Sequence, residues 1–222
     1  MKNLVILSSG SGSNLQNIID KIESNYLFNC SIKLVVSNKD SSSLKRGINH
    51  KLSTMYFPWN KDLLTREEYD SRLSKIIEPF KPDIIVLSGW NHIVTEVFLN
   101  VFKDIQIINL HPALINTFPG NNAIQDAWNA SQKGMVNQTG IMVHTVTKNL
   151  DVGEVIEELV VPITETMKYD DLVSAIKHKE KAVLISAIEK ISTTLCYKGK
   201  VKNVYDFNKN LLIVHTDRVS AC

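Results

Sequence analysis

Four short apolar runs, Asn3–Ser8, Ile32–Ser37, Asp83–Leu87 and Ile105–Leu110, recur along the chain with amphipathic stretches between them. Each run is short and bounded by turn or charged residues, so each reads as a buried strand. Between the second and third runs a helix marks its own start. Thr65-Arg66-Glu67-Glu68 is a capping box, in which Thr65 and Glu68 each satisfy the other's orphan amide. Tyr69, Leu73, Ile76, Ile77 and Phe80 follow at three- and four-residue steps, and Pro82 stops the helix before the next strand. Strands that alternate with helices need crossover connections. The fold class is therefore α/β, a mostly parallel sheet with helices on both faces.

The later chain adds two neighbouring strands, Gly140–Thr147 and Glu154–Val161, joined by a turn around Asp151-Val152-Gly153. Tyr169–Thr193 reads as a final helix, with Val173, Ile176, Leu184, Ala187, Ile188 and Ile191 as its buried stripe. Composition changes near residue 196. Residues 196–222 hold five Lys/Arg against two Asp/Glu, and the remainder holds 20 against 21, so the body is close to neutral and the tail basic. We expect a body of residues 1–195 and a separate segment, 196–222.

Several classes are set aside. The apolar run Leu4 to Leu7 is too short for a signal-peptide core, and no stretch approaches the roughly 20 apolar residues of a membrane helix. A cytoplasmic protein is expected. Cys30, Cys196 and Cys222 are far apart, and the six histidines form no HxxxH or HxH pair, so no metal is expected. The body offers no basic face for nucleic acid.

Two places carry chemistry. Gly10-Ser11-Gly12-Ser13-Asn14 joins the first strand directly to a helix beginning near Leu15. Free amides at such a helix start suit an anion, and glycines allow close approach. Leu15 stands where a dinucleotide fingerprint needs its third glycine, and no Gly-Lys precedes Ser or Thr as in a Walker loop. A phosphate site for a small ligand remains, beside the alternative of a tight structural turn. Further along, Asn109 and His111 end a strand two residues apart and so share a face. Together they could hold an oxyanion and move a proton. Asp151 is the candidate to orient His111, and it would raise the imidazole pKa and favour its charged form. A plain turn residue is the alternative. Glu180, within the apolar stripe of the last helix, wants a partner. Lys177, one turn earlier, offers either a salt bridge or, if both face the pocket, a pair for hydroxyls and a phosphate.

Gly-Ser-Gly-Ser-Asn-Leu-Gln after the first strand, Asn-Leu-His-Pro-Ala-Leu at 109–114 and Leu-Asp-Val-Gly-Glu at 150–154 resemble phosphoribosylglycinamide formyltransferase, in order and separation, up to about Leu195. The resemblance implies a Rossmann-like formyltransferase fold. It also implies transfer of the formyl group of 10-formyltetrahydrofolate to the amine of glycinamide ribonucleotide in purine synthesis. Carried over by residue, Gly12, Ser13 and Asn14 would hold the phosphate, Glu180 the ribose hydroxyls, and Lys177 would reach the phosphate. Asn109 and His111 would stabilise the tetrahedral intermediate, with Pro112 beside the substrate. Asp151 would keep His111 charged and assist proton transfer through water. Trp90, Asn91, His92 and Ile93 would line the folate pocket, with Val143 of the facing strand and Arg66 near the ligand carboxylates. Arg66 has a solvated capping-box role as its alternative.

The chain departs from that pattern in three places: His92 for an arginine near the folate tail, Ile115-Asn116 for Leu-Pro in the mobile loop, and Val152 for a glycine. Its tail, from Tyr197-Lys198-Gly199-Lys200 through Leu211–Val214 to Thr216–Ala221, resembles the opening of phosphoribosylaminoimidazole-succinocarboxamide synthase. The tail reads as two strands joined by Asn208-Lys209-Asn210, and it implies a fused or neighbouring purine-biosynthesis enzyme. Rival readings are a methionyl-tRNA formyltransferase, a formyl-folate hydrolase, or a binding remnant without catalysis. Each of the first two would need a further domain, for which we expect no room in this chain.

Overall fold

The computed structural model describes residues 1–198, 202–207 and 210–215, with residues from 194 onward as backbone only. The strands of the body are β1 (Lys2–Leu7), β2 (Cys30–Ser37), β3 (Thr54–Tyr56), β4 (Ile84–Leu87), β5 (Gln106–His111), β6 (Gln138–Thr145) and β7 (Val155–Pro162). The helices are α1 (Ser13–Glu23), α2 (Ser42–Asn49), α3 (Arg66–Ile77), α4 (Glu96–Val101), α5 (Ala123–Gln132) and α6 (Tyr169–Ser192). The seven strands form one sheet in the order β3-β2-β1-β4-β5-β6-β7. Pairing is parallel from β3 to β5, and β6 and β7 extend the edge antiparallel.

Alternation along β1 builds the two layers. Leu4 and Ile6 pack on one face with Leu15 and Ile18 of α1 and Ile176, Leu184 and Ile188 of α6. Val5 and Leu7 pack on the other with Tyr69 and Leu73 of α3 and Phe98 of α4. These side chains are essentially fully buried, and each contributes about 2 kcal/mol from area alone. The capping box of α3 is formed, with Glu68 N donating to Thr65 Oγ1 at 3.2 Å and Thr65 N to Glu68 Oε2 at 2.8 Å. The α-helix closes earlier than Pro82 suggests. It tightens at Ile77 into a 3-10 turn over Glu78–Phe80, because Pro79 lacks the amide that an α-helix would use.

Chain order reverses at β1: the chain runs outward through β2 and β3, then returns to β4 and β5 on the other side. The carboxyl ends of β1 and β4 therefore flank the crevice where open parallel sheets bind ligands. Backbone bonds tie the two ends together, Ser88 N to Leu7 O at 2.9 Å and Ser9 N to Gly89 O at 3.1 Å.

The strands β8 (Thr194–Lys198), β9 (Lys202–Phe207) and β10 (Asn210–His215) form a second, antiparallel sheet in the order β10-β9-β8. The expected pair of tail strands is present as β9 and β10, with Phe207 opposite Asn210, while β8 had no signal in the sequence. Gly199, Lys200, Asn208, Lys209 and Thr216–Ala221 lie outside the described residues.

Candidate functional site

A cavity of about 330 Å³ opens at the carboxyl edge of the sheet. Its lining includes Asn14, Trp90, Asn91, His92, Ile93, Asn109, His111, Pro112, Asp151 and Glu180. Residues that the sequence scatters over 167 positions thus share one wall. Gly12, Ser13, Lys177, Arg66 and Val143 do not line it. Gly12 and Ser13 stand just behind Asn14, at the cap and first residue of α1. Lys177 is exposed on α6. Val143 corrects an expectation: its side chain is fully buried among Ile108, Leu110 and Ile141, because strand alternation turns its neighbour His144 to the cavity instead.

Asp151 organises the centre. It sits in the turn between β6 and β7 at φ 53, a left-handed conformation uncommon for any residue but glycine, asparagine or aspartate. One carboxylate oxygen accepts the Gly120 amide at 2.9 Å and lies 3.5 Å from His111 Nδ1. The other accepts from Asn109 Nδ2 at 3.3 Å and lies 3.5 Å from His144 Nε2. Burial pushes this carboxyl up, but the His144 bond, the Gly120 amide and the two imidazoles outweigh it and hold the pKa below the ordinary value. Asp151 is an anion here.

His111 behaves otherwise than expected. Burial lowers its pKa, and the attraction of Asp151 and the bond to the Phe118 carbonyl only partly offset that, with His144 adding to the lowering. The imidazole is therefore not held charged. Its Nε2 lies 3.0 Å from the Phe118 carbonyl, which can only accept, so Nε2 carries the proton. Phe118 itself has φ 42, and Asn116, at the position of the family's proline, has φ 59. Proline, fixed near φ −65°, could not take that conformation.

His144 is the residue the sequence reading missed. It faces Asn109 directly across β5 and β6, and Asn109 Nδ2 approaches its Nε2 at 3.2 Å. A lone imidazole inside the otherwise apolar run from Ile141 was its only signal. At another part of the lining, Asn14 Nδ2 donates to Glu180 Oε2 at 3.3 Å. Burial raises the Glu180 pKa, with Asn14 and the charge of Lys177 pulling the other way. The apolar-stripe position of Glu180 is thus resolved by Asn14 rather than by a plain salt bridge.

His92 lies in a ring of aromatic side chains, its centroid 5.5 Å from Trp59 and Trp90 and 5.8 Å from Tyr69. Burial, followed by the charges of Arg66 and Lys39, lowers its pKa to about 4, so it presents a neutral ring at physiological pH. Arg66 is not a solvated capping-box residue. It pairs at 2.9 Å with fully buried Asp70, donates to the Ile93 carbonyl at 3.2 Å and covers the Tyr69 ring at 4.7 Å. It stands behind the cavity wall, holding Ile93.

The family described as Formyl transferase matches residues 2–188. A phosphoribosylglycinamide formyltransferase of Dictyostelium discoideum is 40% identical over 203 residues, covering 86% of this chain and 98% of that relative. The crystal structure of phosphoribosylglycinamide formyltransferase from Bacillus halodurans superposes with a TM-score of 0.79 at 27% identity, over 86% of this chain and 95% of that one. A trifunctional purine biosynthetic protein, adenosine-3, of Chironomus tentans is 33% identical over 194 residues, which are 86% of this chain but 14% of that protein. The chain is a member of the formyl transferase family, and within it stands with the phosphoribosylglycinamide formyltransferases.

Proposed function

We propose that the chain transfers the formyl group of 10-formyltetrahydrofolate to the amine of glycinamide ribonucleotide. The convergence of Asn109, His111 and Asp151 on one cavity, with Asn14 and Glu180 in the same lining, carries this reading. Asn14, together with the backbone at Gly12 and Ser13, holds the phosphate, and Glu180 takes the ribose hydroxyls. Lys177 adds positive charge from the exposed face of α6. Trp90, Asn91, His92 and Ile93 receive the folate.

The amine nitrogen attacks the formyl carbon, and the carbonyl oxygen becomes an oxyanion. The Nε2–H of His111, here donated to the Phe118 carbonyl, turns to that oxyanion when substrate displaces the carbonyl, and Asn109 supplies a second donor. The amine's proton is accepted at the His111–Asp151 pair and returned to N10 of the folate as the C–N10 bond breaks. Asp151 stabilises the imidazolium while it exists rather than keeping His111 charged beforehand. The C-terminal segment 196–222 is proposed as a unit distinct from 1–195, and its sequence resemblance makes a fused or neighbouring purine enzyme the proposed partner. A cytoplasmic location fits that partner, and no described helix is long and apolar enough to cross a membrane.

Turnover of glycinamide ribonucleotide with 10-formyltetrahydrofolate tests the reading. Wild type should show transfer, and His111→Ala should lose roughly a hundredfold or more in rate, the scale of an acid–base or oxyanion group. Ribonucleotide binding without transfer by wild type would leave only a binding module.

A further inference from the structure

The glycine-rich turn is gripped from behind by α2. Ser43, fully buried, donates its hydroxyl to the Gly10 carbonyl at 2.7 Å, and Ser8 Oγ lies 3.0 Å away as the partner that completes it. Arg46 donates Nε to the next carbonyl, Ser11 O, at 2.9 Å, and Nη1 to Gln16 Oε1 at 3.1 Å. Gln16 is held in that orientation because its amide nitrogen donates to Asp20 at 2.8 Å. Contact is close enough that a Cβ on Gly12 would lie 2.8 Å from Ser43 Cα and 3.2 Å from Arg46 Cδ.

Two consecutive carbonyls are thus turned toward α2. In a trans peptide the C=O and the following N–H point in opposite directions. Fixing the Gly10 and Ser11 carbonyls on α2 therefore turns the amides of Ser11 and Gly12 to the opposite side. Among the described residues no acceptor answers either amide, and the α1 start has no side-chain cap. Beyond them, Asn14 Oδ1 is buried without a partner in the cavity wall.

We propose that Arg46 is a positioning residue for phosphate recognition, which locks the Ser11–Gly12 peptide so that the Gly12 amide faces the anion. This rests on the reading that the turn holds the phosphate of the ribonucleotide. Arg46 acts through the backbone and Ser43 fixes the neighbouring peptide. A bidentate guanidinium is needed, since Nε and Nη1 serve two acceptors on a planar fork that an ammonium does not supply.

The test compares glycinamide ribonucleotide with its phosphate-free ribonucleoside as formyl acceptors. Wild type should prefer the ribonucleotide. Arg46→Ala should raise KM for the ribonucleotide by about tenfold, the scale of one bond to a charged group, with kcat within about twofold. Its KM for 10-formyltetrahydrofolate and its use of the ribonucleoside should not change. Arg46→Lys should restore only part of the loss. If Arg46→Ala fails to fold, Gln16→Ala removes the second anchor of the guanidinium without touching the turn and should give the same KM signature. Unchanged preference for the ribonucleotide in Arg46→Ala, or in Gln16→Ala where that variant is used, overturns the role of Arg46 alone. An equal loss on both acceptors does so too. Equal use of both acceptors by wild type overturns the phosphate reading and this proposal together.

Discussion

His144 Nε2 stands 3.5 Å from Asp151 Oδ1, on the strand directly opposite Asn109. Asp151 therefore has an imidazole at each oxygen, and its low pKa belongs to that arrangement more than to the turn that carries it. His144→Phe removes one of the groups that hold the carboxyl down while keeping ring volume. The Asp151 pKa should rise, so activity that needs the anion should be lost at a higher pH than in wild type. The acid limb of kcat/KM against pH measures this, and an unmoved limb would refute the coupling.

Asp151→Asn tests the order of events at His111. Burial already lowers that imidazole, and Asp151 is the main influence opposing it. Without the carboxylate, the imidazolium formed during transfer loses its counter-charge. We expect kcat to fall about a hundredfold or more, with KM for both substrates changed by less than about fivefold. Steady-state kinetics decide it.

His92 ties stability to acid. Its pKa is about 4 in the fold against 6.5 for the free side chain. Between those values the unfolded chain takes a proton that the folded chain refuses, so stability is present above about 6.5 and drains away as pH falls toward 4. His92→Phe removes the titration and keeps a ring among Trp59, Tyr69 and Trp90. Its melting temperature, relative to wild type, should improve as pH is lowered from 7 to about 5. A constant difference across that range would count against the half-buried neutral ring.

Gly153 closes the turn of Asp151 against β6. A Cβ there would lie within overlap distance of the Thr145 carbonyl, whose own amide accepts no shift because it bonds Glu154 O at 2.9 Å. Gly153→Ala should cost on the order of 3 kcal/mol in urea unfolding and reduce kcat through displacement of Asp151. Full stability in this variant would show that the turn has room that the structure denies it.

The parallel strands β1, β2, β4 and β5 were legible because each is a largely buried apolar run, and α3 because its capping box is written in the residues themselves. α2 was not: Ser42, Ser43 and Gly47 give it little apolar pattern, and it is held by hydroxyl and backbone bonds. β3 is three residues long and α4 six, too short for a period to register. Within the cavity, Asn109 and His111 followed from strand geometry, Glu180 stood out as a carboxylate in an apolar stripe, and Asp151 came mostly from the family likeness. His144 was hidden because a strand buried on both faces has no alternation to betray which residue turns to the cavity. The protonation of His111 was misjudged for a related reason. Spacing names the carboxylate that attracts a proton, but only packing sets how much solvent is lost, and here that loss is larger.

The antiparallel edge of the sheet has a consequence for how the protein comes into being. Asn109 and His111 end β5, yet Asp151 follows His111 by 40 residues, and Glu180 comes later still, on α6. A chain emerging from the ribosome as far as β5 can pair its parallel strands, but it has no carboxylate at His111 and no carboxylate beside Asn14. The docking of α6, which brings Glu180 to Asn14 across 166 positions, is a slow step of high sequence separation. Activity should therefore return during refolding after most of the sheet, and a nascent chain should be inert until α6 is made.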